Sequence, residues 1–168
     1  DVDGDGHKLQ QYNRLLFCDS KKRIWAGGEM GISVFNQVGT SLLPNTDFQI
    51  ASVLKQAFVN CFYETSPDIC GLEHVTDCLL WKSDKQFLQY TTENGLPSNV
   101  IYGILEDAYG RLWISTNQGL SCLNSESGKF RNFTIMDGLQ GNQFNAGAYC
   151  RKDNGYMLFG GVNGITSF

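Results

Sequence analysis

Apolar residues along the chain come in short dense runs, each bounded by glycine and small polar residues, with none of the three-to-four spacing of an amphipathic helix. The stretch Glu106 to Leu123, EDAYGRLWISTNQGLSCL, sets the pattern: a turn from Asp107 to Gly110, β-formers from Leu112 to Thr116, a second turn from Asn117 to Gly119, and a second apolar run from Leu120 to Leu123. This predicts strand, tight turn, strand, with glycine where the turn needs positive φ. Asp19 to Phe35 repeats it, with Trp25, Gly31 and Ile32 standing 88 positions before Trp113, Gly119 and Leu120. Asp153 to Phe168 repeats it at an offset of 45, placing Gly155, Leu158, Gly164 and Ile165 opposite Gly110, Trp113, Gly119 and Leu120. A degenerate copy lies midway in TSPDICGLEHVTDCLLW, where Ile69 takes the tryptophan slot and Val75 the slot of Gly31 and Gly119.

A period near 44 residues, several short strands per copy and no helical periodicity describe a four-stranded propeller blade. A chance recurrence of Trp and Gly in a β-sandwich would not repeat the connectors as well, yet Asn94-Gly95-Leu96 and Asp137-Gly138-Leu139 are 43 positions apart. The fold class expected is all-β: a partial β-propeller of four-stranded antiparallel blades, about three and three-quarter blades long. The blades fall at about 13–43, 52–90, 99–134 and 144–168, with 1–12 as a lead-in hairpin or a strand of the preceding blade. Trp25, Gly31, Trp113, Gly119, Gly155 and Gly164 are read as the structural core of the repeat. Rings close with about 4 to 8 blades, so the expectation is one propeller fragment of a larger protein that exposes a blade face or buries it against another copy.

The combination GLPSNVIYGILEDAYGRLWISTNQGLSCLN, followed by GLQGNQFN and GYMLFGGVNGITSF, resembles the two-component regulator propeller repeats in the sensor region of bacterial hybrid two-component systems. The paired Gly160 and Gly161 resemble the final blade of such a propeller. The resemblance implies an extracytoplasmic, periplasmic ligand-sensing segment of a hybrid sensor histidine kinase and response regulator. It further implies detection of carbohydrate-derived ligands, signalling by repacking of propellers or protomers, and kinase activity elsewhere in the parent. The partners implied are an oligosaccharide, the remainder of the parent sensor and a second copy in a homodimer. A propeller glycosidase or lyase, and a protein-interaction scaffold, are the alternatives.

Charge narrows the field. A formal net charge of −4 leaves no basic footprint for nucleic acid, and no apolar run is long enough to span a membrane as a helix. The 42% hydrophobic content supports a packed core. Asp1, Asp3, Asp5 and Gly6 copy the first half of a calcium loop, but Tyr12 stands where that loop needs a bidentate glutamate, so an exposed acidic turn is expected, with His7 facing solvent.

Six cysteines sit in phase with the repeat, Cys78 and Cys122 in the slot of Val34, Cys70 in that of Ala26 and Ile114, and Cys18, Cys61 and Cys150 within a residue of one inner-strand slot, and all are expected as buried thiols. Neither histidine has a nucleophile or metal setting, His74 between Cys70 and Cys78 being the nearest approach, and the carboxylate pairs Glu106/Asp107 and Asp1/Asp3 are adjacent in turns. No catalytic residue, metal or cofactor is therefore assigned. Trp25 and Trp113 are locked to the repeat and read as core instead of sugar platforms, and the sequon Asn132-Phe133-Thr134 is uninformative in a bacterial chain. Ligand candidates are the polar or aromatic loop residues the blade does not require: Tyr109, Arg111, Asn142, Gln143 and Asn145.

Overall fold

The computed structural model describes residues 13–28, 31–45, 59–65, 69–74, 77–81 and 87–168. The expectations placed on Asp1, Asp3, Asp5, His7, Tyr12 and Val75 lie outside the described residues, as do the side chains of Cys70, His74 and Cys78. The strands form four antiparallel sheets in which every strand pairs with its sequence neighbour. The first sheet holds β1 (Asn13–Cys18), β2 (Arg23–Gly28), β3 (Gly31–Val38) and β4 (Ser41–Pro44). The second holds β5 (Val59–Thr65), β6 (Ile69–His74), β7 (Asp77–Trp81) and β8 (Phe87–Tyr90). The third holds β9 (Ile101–Glu106), β10 (Arg111–Thr116), β11 (Gly119–Asn124) and β12 (Lys129–Phe133). The fourth holds β13 (Phe144–Arg151), β14 (Met157–Gly161) and β15 (Gly164–Ser167).

The sheets stack face to face in chain order, and the third is covered on both sides. Ile104, Leu112, Ile114 and Leu123 pack with Cys61, Leu96 and Ile101 toward the second sheet. Leu105 and Leu120 pack with Phe144, Met157 and Phe159 toward the fourth, joined by the partly buried Trp113. Burial on both faces is why Leu112-Trp113-Ile114 is apolar without alternation.

Where adjacent sheets meet, an aromatic ring fills the space left by a glycine. Tyr149 lies over Gly103, where a Cβ would overlap its ring, and Phe62 lies over Gly27 in the same manner. The hairpin glycines carry the left-handed backbone, with φ of 97° at Gly31 and 121° at Gly119, a region costly for side-chain-bearing residues.

The cysteine expectation needs correction. Cys61 and Cys122 are buried, but Cys18 and Cys150 are exposed. Their strands belong to the first and fourth sheets, and each lies on the side of its sheet turned away from the neighbouring described sheet.

Candidate functional site

The connectors are built alike, because the same short code recurs in them. Thr91 and Thr134 cap one-turn 3-10 helices, Thr92–Asn94 and Ile135–Asp137, and each forms a capping box with Asn94 or Asp137. Gly95 (φ 110°) and Gly138 (φ 92°) end the turns in left-handed conformation. A carboxamide then locks the loop: Asn99 Oδ1 accepts from Thr92 N at 2.7 Å, and Asn142 Oδ1 from Ile135 N at 2.8 Å.

These connectors deliver the chain to the N-terminal ends of the inner strands. β9 and β13 run side by side in the same direction, since Gly103 meets Tyr149 and Glu106 O accepts from Arg151 Nη1 at 2.9 Å. Each inner strand slips its register near its start, between Asn13 and Leu15, Val59 and Phe62, Ile101 and Gly103, and Phe144 and Tyr149. The first three are single-residue bulges, whereas the last leaves Asn145 to Ala148 opposite Gly160 alone. Bulges next to sites re-aim side chains, and here Asn145, Ala146 and Gly147 (φ 71°) are turned out to solvent.

The fourth sheet's connector corner is rebuilt beyond the bulge. Gln140 stands where the preceding connector has Pro97. Its Oε1 accepts from Asn163 N at 2.8 Å and its Nε2 donates to Gln143 O at 3.1 Å. A Cβ at Gly161 would overlap this amide, so glycine replaces the Thr116 of the third sheet. In the neighbouring β10–β11 turn, Asn117 Oδ1 is buried with no hydrogen-bond partner among the described residues.

The two ends of the stack differ in charge. Among the described residues, connector-end loops carry Asn117, Gln118, Gln140, Asn142, Gln143, Asn145 and Asn163, with Glu93 and Asp137 as their charged side chains. Loops at the opposite end carry Asp19, Lys21, Lys22, Asp107, Glu126, Lys152 and Asp153. The connector end thus offers uncharged donors and acceptors, suited to a neutral, hydrogen-bonding ligand.

The five predicted ligand residues separate accordingly. Asn142, Gln143 and Asn145 share the connector end, Asn142 through a structural bond and Asn145 exposed in the bulge. Tyr109 and Arg111 lie at the opposite end, where Tyr109 is 83% exposed and the Arg111 guanidinium sits 5.1 Å from its ring. Arg111 is held by Asp107, whose Oδ2 accepts from its Nε at 2.6 Å and from Trp113 Nε1 at 3.0 Å. Asp19, Arg23 and Trp25 make the same cluster in the first sheet. Burial opposes ionisation of both aspartates, but indole, backbone and guanidinium donors outweigh it and hold both carboxyls below the usual range. Sequence reasoning missed Gln140 and Asn163; the departure of Gln140 from Pro97 was the available signal.

Bonds between sheets line the far end of the inner strands. Ser20 N and Oγ donate to Glu64, each at 2.7 Å, Tyr63 Oη accepts from Glu106 N at 3.1 Å, and Arg151 reaches Glu106 O. Burial pushes the Tyr63 phenol above its ordinary pKa, so it stays neutral. Among the described residues no group of His, Cys, Asp and Glu is gathered for a metal ion.

Residues 95–118 match the two-component regulator propeller family. A curated histidine kinase, P4 of Formosa agariphila, is 31% identical over 159 residues, which span 92% of this chain and 12% of that protein. The chain thus carries a two-component regulator propeller repeat. Its fold is similar to the extracellular domain of a hybrid two-component system from B. thetaiotaomicron, with TM-score 0.81, 24% identity, and coverage of 99% of this chain and 23% of that one. It is also similar to virginiamycin B lyase from Staphylococcus aureus, with TM-score 0.65, 17% identity, and coverage of 96% of this chain and 59% of that one. Both likenesses are of fold. The regulator propeller thus spans a small part of its curated relative, and no helix among its described residues is long and apolar enough to cross a membrane.

Proposed function

We propose that this propeller is the periplasmic ligand-sensing segment of a hybrid two-component sensor, and that it detects a neutral, carbohydrate-derived ligand at its connector end. The observation that carries the reading is the remodelled corner of the fourth sheet, where Gln143, Asn145 and Asn163 surround a three-residue-wider bulge on a face poor in charge. Carboxamides offer a donor and an acceptor in one plane, the pairing that sugar hydroxyls accept and return. Signalling then follows from differential contact: a ligand that touches two sheets or two protomers biases their packing, and the sheets move as bodies.

The test is calorimetric titration of the chain with a panel of neutral and acidic oligosaccharides, with product analysis alongside. Binding of a neutral glycan without turnover, weakened at least tenfold by Asn145→Ala, is the expected result. Turnover would transfer the reading to a lyase or glycosidase, and silence across the panel would overturn it in favour of a scaffold.

A further inference from the structure

The junction between the third and fourth sheets holds one more residue of the connector end. β9 and β13 run side by side with Gly103 beneath the Tyr149 ring, so one step toward the connectors brings Tyr102 level with Ala148 and the widened bulge that precedes it. Tyr102 is itself the residue that the slip between Ile101 and Gly103 leaves out of the ladder. Its ring packs, half-buried, against the apolar cluster that joins the two sheets. Tyr63, in the neighbouring inner strand, engages its hydroxyl with Glu106 N, whereas the hydroxyl of Tyr102 has no partner among the described residues. A ring fixed by packing, with its polar tip free, is a rigid amphipathic contact that loses little entropy on binding.

The bulge beside it adds polar groups of the backbone. Three of the four residues from Asn145 to Ala148 are in excess over Gly160, so their peptide donors and acceptors leave the ladder. Asn145, Ala146 and Gly147 are exposed, and among the described residues nothing beyond its chain neighbours comes within 4 Å of the point where a Cβ on Gly147 would stand. These groups meet at the inner margin of a junction both of whose strands are described, and Tyr102 faces into it, so the site does not depend on what covers the outer faces of the first and fourth sheets.

We propose that Tyr102 is the aromatic platform of the connector-end site, a proposal that rests on the reading of that end as a neutral-glycan site. The C–H face of one pyranose ring lies on the tyrosine, and the hydroxyls around that ring bond to the Tyr102 hydroxyl, the Asn145 carboxamide and the freed peptide groups of the bulge. A sugar ring carries an apolar face and a polar rim at once, and the site offers a match to each.

The test titrates the tightest-binding glycan of the panel into variants of the chain. Tyr102→Phe keeps the ring and its packing and should weaken binding about fivefold. Tyr102→Ala removes the platform and should weaken it about thirtyfold. An unchanged urea midpoint for Tyr102→Phe separates a lost contact from lost folding. As a second measurement, tyrosine nitration mapped by mass spectrometry should slow at Tyr102 when the glycan is bound and stay unchanged at Tyr109 and Tyr156, which are exposed at the opposite end. A neutral glycan that Asn145→Ala weakens but Tyr102→Ala binds within about twofold of the parent, or that leaves nitration of Tyr102 unchanged, overturns the platform and leaves the connector-end reading in place. A panel in which no neutral glycan binds, or in which Asn145→Ala weakens none, overturns that reading and the platform with it.

Discussion

The Asp107 carboxylate accepts from the indole of Trp113, the guanidinium of Arg111 and the backbone amides of Tyr109 and Arg111. Removing its charge leaves those donors with a weaker acceptor, so Asp107→Asn is expected to lower stability by about 1–3 kcal/mol in urea unfolding at pH 7. The sign with pH follows from the depressed carboxyl: its contribution is full above the unfolded pKa near 3.8 and disappears as pH falls through the lower folded value. The variant should therefore show a flatter acid limb than the parent in thermal melts taken from pH 5 downward. Gly103→Ala tests close approach, since the added methyl overlaps the Tyr149 ring; a loss of about 1–3 kcal/mol is expected, measured in the same way. The Asp, Arg and Trp of this cluster change together in the fourth sheet, where Lys152, Tyr156 and Leu158 take their slots, so the three act as one unit.

At the scale of elements, the connector is as regular as the strands it joins. Its cap, box, left-handed glycine and locking carboxamide recur with near-identical distances in both described copies. Asn142→Ala removes the lock at Ile135 N and should cost about 1 kcal/mol, with faster amide exchange confined to residues 134–143. Much of this was legible in advance, because strand runs, turn glycines and connectors each leave a local imprint on sequence. Partner choice between strands also follows from short turns. The three-residue widening of β13 was not legible, since Asn145 reads as a loop residue and only the register with β14 shows Asn145 to Ala148 standing opposite Gly160. The same holds for Gln140, whose two amide bonds reach Asn163 and Gln143 only once the loop is folded.

For the whole molecule, the separation of neutral and charged ends has a measurable consequence. A ligand held at the connector end by carboxamides should bind with an affinity that changes less than about twofold between 0.05 and 0.5 M salt, because the groups that hold it carry no charge to be screened. A steep salt dependence would move the site to the end that carries Lys21, Lys22 and Lys152. Sequence phase put Cys78 in the slot of Cys122 and Cys70 in that of Ile114 and treated all copies as interior, but the hairpin register places these two cysteines two positions away, in the slots of Leu120 and Leu112. Exposure of Cys18 and Cys150 depends on which sheets are outermost, a property of the stack that no local window contains.

The bonds at the far end of the inner strands tie adjacent sheets there: Glu64 to Ser20, Tyr63 to the amide of Glu106, and Arg151 to the carbonyl of the same residue. The capped and locked connectors hold the opposite margin covalently, so adjacent leaves are fastened at both ends and shift together as a block instead of fanning apart.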